Sequence, residues 1–93
     1  VVEPALADHA EAVVREAVSN AVRHGAATEV TVLVRIDDDL SIEVLDNGCG
    51  IPEDVTPSGL DNLRRRAAES GGTFHVGRAA RGGTVLRWSA PLP

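Results

Sequence analysis

The sequence predicts an α/β, or α+β, two-layer sandwich, with one mixed β-sheet and helices packed on one of its faces. Two observations predict it. The spacing of the apolar residues changes along the chain from helical to alternating and back, in the order helix, two strands, helix, two strands. The composition allows one compact domain: 93 residues, 43% of them hydrophobic, with Phe74 and Trp88 as the whole aromatic set, so the core is built mainly from Val, Leu, Ile and Ala.

The first helix is expected over Ala5 to His24, where Leu6, Ala10, Val13, Val14, Ala17, Val18 and Ala21 recur at helical spacing. Pro4 is acceptable in the first turn, and Gly25 is a stop signal. Glu29 to Ile36 alternates, which puts Val30, Val32, Val34 and Ile36 on one face. Leu40 to Asp46 follows after the turn Asp37-Asp38-Asp39, and the two runs form an antiparallel hairpin. A second helix starts with Ser58 as N-cap, carries Leu60, Leu63 and Ala67 inward, and ends at Gly71-Gly72. Thr73 to Gly77 and Thr84 to Ser89 supply a second hairpin, closed by Arg78 to Gly83.

Nine basic residues, all arginine, stand against fourteen acidic ones. The formal charge of -5 has the wrong sign for a protein that neutralises nucleic-acid phosphates. A single cysteine, Cys49, excludes an internal disulfide and a cysteine-rich zinc site. No signal peptide or long apolar run is visible, so a cytoplasmic location without direct membrane contact is the expectation. Val1 to Pro4 reads like the end of a strand, and residues 1–93 are therefore expected to be one domain cut from a longer protein, with a first edge strand missing.

Glu16, Asn20, Arg23 and His24 fall in one stripe along the edge of the buried face of the first helix, where a pocket wall would lie. Solvent exposure, or complementing the helix dipole in the case of Arg23 and His24, would also account for them. In the second strand the alternation Leu40, Ile42, Val44 continues to Asp46, which puts a carboxylate on the buried side. Such a group needs donors, from nearby backbone amides in a turn or from a ligand amine such as that of adenine. Gly48 and Gly50 would let backbone approach a flat ring. Ser58-Gly59-Leu60 opens a helix, whose free amides and dipole favour phosphate. Arg64-Arg65-Arg66 reads as a solvated face, from which one arginine could reach a phosphate or a partner domain.

Together these stretches resemble the ATP-binding catalytic domain of sensor histidine kinases, in the superfamily that also holds gyrase and Hsp90-type ATPases. Glu16 to His24 is similar to the N box, Asp46 to Ile51 to the first glycine box, and Gly59 to Arg66 with Gly71-Gly72 to the second box of the nitrate-sensor-like subfamily. Gly82-Gly83-Thr84 resembles the final glycine-threonine motif, and the wording as a whole is similar to mycobacterial haem-based oxygen-sensing kinases. The resemblance implies a Bergerat-type ATP-binding fold with ATP and Mg²⁺ as cofactors. It implies that Asn20 holds Mg²⁺ and that Arg23 and His24 lie near the phosphates. Asp46 would bind the adenine amine beside Gly48, Gly50 and Ile51, the Gly59 and Leu60 amides would face the phosphates, and Thr84 would border the nucleotide. Glu16 occupies the position that hydrolytic relatives use for a water-activating base, and here it is expected to support Asn20 in catalysis.

The chain departs from that family in its short lid, Ile51 to Ser58, which is restricted by Pro52 and Pro57 and carries Ser58 where relatives commonly have glycine. His9, His24 and His75 are followed by Ala10, Gly25 and Val76, whereas the subfamily's phosphorylated histidine usually precedes an acid. The implied activity is that of a protein histidine kinase whose isolated, monomeric domain does not phosphorylate itself. It passes the γ-phosphate of Mg-ATP to a histidine on a separate dimerisation/phosphoacceptor domain, from which a response regulator takes it. An anti-sigma-factor-type serine kinase, a gyrase-like hydrolase and a non-catalytic regulatory module are the alternatives.

Overall fold

In the computed structural model, residues 4–23, 26–49, 58–80 and 82–92 are described. Two helices and four strands follow in chain order: α1 Pro4–Arg23, β1 Val30–Ile36, β2 Asp39–Asp46, α2 Ser58–Glu69, β3 Thr73–Arg78 and β4 Thr84–Pro91. Element types and order match the expectation from periodicity. Ser58 is the first residue of α2 rather than the residue before it.

The strands lie in the order β1-β2-β4-β3, and every pairing is antiparallel. The expected mixed sheet is corrected here to an antiparallel one. Its physical origin is the position of β4. The crossover through α2 makes β3 run in the direction of β2, but β4 inserts between those two strands and separates the only pair that would have been parallel.

Alternation decides what each central strand buries. Leu40, Ile42 and Val44 of β2 face inward, paired in register with Ala90, Trp88 and Leu86 of β4. Both helices cover this face, α1 through Leu6, Val13 and Ala17 and α2 through Leu60, Leu63 and Ala67. Trp88 is the centre of the core, fully buried, and its indole Nε1 donates to the Leu63 carbonyl at 3.2 Å, which satisfies its one polar atom. The helices do not reach across β1. Val34 and Ile36, on the same face as Ile42 and Leu40, remain 56% and 59% exposed.

Turns fix the ends. α2 closes in a Schellman motif: Gly71 has φ 72°, the Gly72 N–H returns to the Ala67 carbonyl at 2.8 Å and the Gly71 N–H to Ala68 at 3.2 Å. Gly72 also permits contact with β4, since a Cβ there would lie 1.7 Å from the Ser89 carbonyl oxygen.

Candidate functional site

The C-terminal half of α1, the end of β2, the start of α2 and the start of β4 converge on one cavity. Its lining includes Asn20 from α1, Asp46 from β2, Leu60 from α2 and Thr84 from β4, over an apolar floor of Ala17, Val44 and Leu86. The fold dictates this meeting. Continuing the Leu45–Val85 register by one step sets Asp46 beside Thr84 on the inner face, at the point where β2 and β4 stop pairing.

Asn20 is the most telling residue there. It is 4% exposed, and neither its amide nitrogen nor its amide oxygen has a hydrogen-bond partner among the described residues. A buried amide left unpaired costs about 1–3 kcal/mol per group, and Asn20 sets its amide at the edge of this cavity. Thr84, 8% exposed, is the other buried polar residue of this lining.

Asp46 makes the turn bond that its sequence left open and also borders the cavity. Its Oδ1 accepts from the Gly48 N–H at 2.9 Å, an Asx turn that holds the chain as it leaves β2, while the same side chain borders the cavity. Gly83, with φ 82°, closes the site from below: a Cβ there would stand 2.0 Å from the Asp46 carbonyl oxygen. The final glycine motif thus packs on the backbone of the first.

Glu16 and Arg23 lie elsewhere. With Arg15, Ser19, Asn62 and Arg66 they line a groove between α1 and α2 on the side away from the sheet. Gly59 joins the groove to the cavity, because its missing side chain leaves room for the Glu16 carboxylate. His24, Gly50 and Ile51, and the lid from Ile51 to Pro57, lie outside the described residues. Cys49 is exposed.

Two contributions were not foreseen in the motifs. The Asn47 side chain clamps the start of β1 to the end of β2. Its Oδ1 accepts from the Thr28 and Glu29 N–H groups, both at 2.9 Å, and its Nδ2 donates to Thr28 Oγ1 at 2.9 Å. Asn next to Asp in a turn was a signal available in the sequence, but its partners lie eighteen and nineteen residues away. Arg66 is no solvated arginine. Its Nη1 donates to His9 Nδ1 at 3.0 Å, which ties α2 to α1, and its Nε is buried without a partner among the described residues. Arg64 meanwhile stacks over Phe74, 5.4 Å from the ring centroid.

Among the described residues no group of three or more His, Cys, Asp or Glu side chains could hold a metal ion, and no helix is long and apolar enough to cross a membrane.

Comparisons with known proteins agree with this geometry. The family described as histidine kinase-, DNA gyrase B-, and HSP90-like ATPase matches residues 5–93. The sensor protein VraS of Staphylococcus aureus (strain COL) is 43% identical over 89 residues, covering 91% of this chain and 26% of that protein. VraS of Staphylococcus haemolyticus is 42% identical over the same length. Among solved structures, the ATP-binding domain of PrrB from Mycobacterium tuberculosis superposes with a TM-score of 0.71 at 32% identity, over 86% of this chain and 64% of that one. The histidine kinase domain of the blue-light-activated kinase EL346 from Erythrobacter litoralis gives 0.69 at 26% identity, over 90% of this chain and 43% of that one. The chain spans about a quarter of the length of the curated relatives it matches. With its α/β sandwich, its cavity between helix and sheet edge, and its boxes in order, the chain belongs to the histidine kinase-, DNA gyrase B- and HSP90-like ATPase family, as an ATPase domain of the sensor histidine kinase type.

Proposed function

We propose that this domain binds Mg-ATP and, within a longer cytoplasmic protein, presents the γ-phosphate to a histidine on a separate dimerisation/phosphoacceptor domain, which then serves a response regulator. The observation that carries the reading is the orphaned amide of Asn20, buried and facing a cavity that Asp46 shares. Adenine would set its exocyclic amine against Asp46, with the apolar floor of Val44 and Leu86 beneath the ring and Thr84 at its edge.

The residues fit a magnesium ion of the kind that phosphates and water largely coordinate. The Asn20 oxygen is an acceptor without a partner among the described residues, and Mg²⁺ usually takes only one or two protein ligands. Bound there, the ion would neutralise charge on the triphosphate. The chain's own part is to orient. In this reading Asn20 would orient the phosphates through the ion and Asp46 the base, the Gly59 and Leu60 amides of α2 would face the phosphates, and Arg23 and His24 would act on the phosphates as well. Exclusion of water falls to the packed floor. Glu16 supports this arrangement from α1.

Calorimetry of the domain with ATP, with and without Mg²⁺, and with GTP as the control, tests the reading. Mg²⁺-dependent binding of ATP is expected, and Asn20→Ala is expected to lose the Mg²⁺-dependent part while keeping the fold. Equal Mg²⁺ dependence in both proteins removes Asn20 from the role, and no heat with any nucleotide leaves a regulatory module without nucleotide affinity. Incubation of a longer chain with labelled ATP separates acceptors, since phosphohistidine is lost in acid and phosphoserine is not.

A further inference from the structure

Arg15, Arg23 and Arg66 meet in the groove between α1 and α2, in a chain whose formal charge is -5. Only the first of them has a carboxylate partner. The ion pairs among the described residues join Arg15 to Glu11, Arg64 to Asp61 and Arg87 to Glu43, and neither Arg23 nor Arg66 takes part in any. Arg66 is also held in place. Its Nη1 bonds to His9, which fixes a partly buried guanidinium at the contact of the two helices, and its buried Nε meets no acceptor among the described residues. A charge taken partly out of water without a counter-charge is unfavourable, and a guanidinium already fixed by packing loses little freedom when a carboxylate joins it.

We propose that this groove is a docking site for an acidic peptide segment of a partner protein, with a carboxylate seated on Arg66 and Arg23 adding to the attraction. The lining itself favours a peptide over a bare anion. Glu16 stands in the same groove and is in no ion pair among the described residues, so the ligand that suits it brings donors as well as negative charge. Backbone N–H groups beside an acidic side chain supply both. Ser19 on α1 and Asn62 on α2 add neutral hydrogen-bonding groups to the two walls, and the groove, about 330 Å³, is roomier than a single small ion requires. Groove and cavity have no lining residue in common, so docking does not depend on the nucleotide reading.

The test is an NMR titration of the chain with a short capped peptide of alternating Glu and Ala. The same peptide with Gln in place of Glu, and inorganic phosphate, are the other two probes. The Glu peptide is expected to shift the Arg66 Nε–H resonance together with the backbone amides of Ser19 and Asn62, and the other two probes to shift them little. Asn62→Asp adds a negative charge to the wall at constant size, and Arg66→Gln removes the positive one. Each is expected to weaken the Glu peptide about three- to thirtyfold, the range of one charged contact at a partly exposed site. Arg64→Gln, on the same helix but outside the groove, is expected to leave its affinity unchanged. Should Arg66→Gln not fold, Asn62→Asp is read alone. Equal binding of the Gln peptide, an equal loss in Arg64→Gln, or no shift at Arg66, Ser19 and Asn62 overturns the docking site. Phosphate binding there without the Glu peptide overturns it too, and assigns the groove to a small anion.

Discussion

Asn20 sets a polar amide among apolar neighbours at the edge of the cavity. Both polar atoms of its amide are buried and unpaired among the described residues, so replacing it with a similarly sized apolar side chain removes a desolvation penalty of about 1–3 kcal/mol per unsatisfied group. Asn20→Leu is therefore expected to stabilise the ligand-free domain by about 1 kcal/mol or more, seen as a higher urea midpoint with an unchanged slope, while Mg²⁺-dependent ATP binding is lost. A lower midpoint would show that the amide has partners in solution. Asp46 gives the complementary case. Asp46→Asn keeps an oxygen to accept from the Gly48 N–H, so the turn survives, but the charge proposed to receive the adenine amine is gone. ATP affinity is expected to fall about five- to a hundredfold, with residual GTP binding much less affected, in paired titrations. An equal loss for both nucleotides would assign Asp46 to the turn alone.

At the scale of elements, two glycines in or beside β3 make a controlled pair. A Cβ at Gly72 would be 1.7 Å from the Ser89 carbonyl oxygen of β4 and 2.8 Å from the Ala90 Cα, whereas at Gly77 it meets nothing within 4 Å. Gly72→Ala is expected to cost about 3 kcal/mol or more, because backbone rather than a flexible side chain must move, and Gly77→Ala to be neutral or to stabilise by about 0.5 kcal/mol. Thermal melts of the two variants check this, and similar midpoints would contradict the packing of α2's exit on β4. Each element was legible in the sequence because its evidence is local: the spacing of Val13, Ala17 and Ala21 on α1, the alternation of Leu40, Ile42 and Val44 on β2, the glycines after Glu69. Strand order was not. Nothing within Thr84 to Pro91 says that this strand separates β2 from β3, because that choice is made by packing across the whole sheet. The cavity was legible in Asn20 and Asp46, where a polar side chain continues an apolar face. The Asn47 clamp and the Arg66–His9 bond were hidden, since their partners are distant in sequence and neither residue breaks a local pattern.

For the molecule as a whole, the uncovered flank is β1. It is an edge strand, with Val32, Leu33, Val34 and Ile36 all at least 37% exposed, apolar on both faces and unpaired along one side among the described strands. Alternation correctly assigned the inner face but said nothing of how far the helices extend over it. Val34→Lys is expected to change stability by less than about 1 kcal/mol, as the side chain is already 56% exposed, and to lower light scattering during a thermal ramp of the domain. A large loss of stability would mean that this strand is covered in solution.

The place of β4 also sets an order of events during synthesis. β4 is the last of the four strands in sequence and yet the one on which both neighbouring strands depend, pairing with β2 on one side and β3 on the other. As the chain leaves the ribosome, α1, the β1–β2 hairpin, α2 and β3 are all made before the strand that joins them. At about 5–20 residues per second the wait is short, but through it Leu40, Ile42 and Val44 have half their sheet and no tryptophan to pack against. Thr84 and Leu86 of the cavity, and Gly83 beneath Asp46, are added in that final stretch. The nascent domain therefore has every early box in place before its cavity is closed, and the last strand completes the cavity lining and the core together.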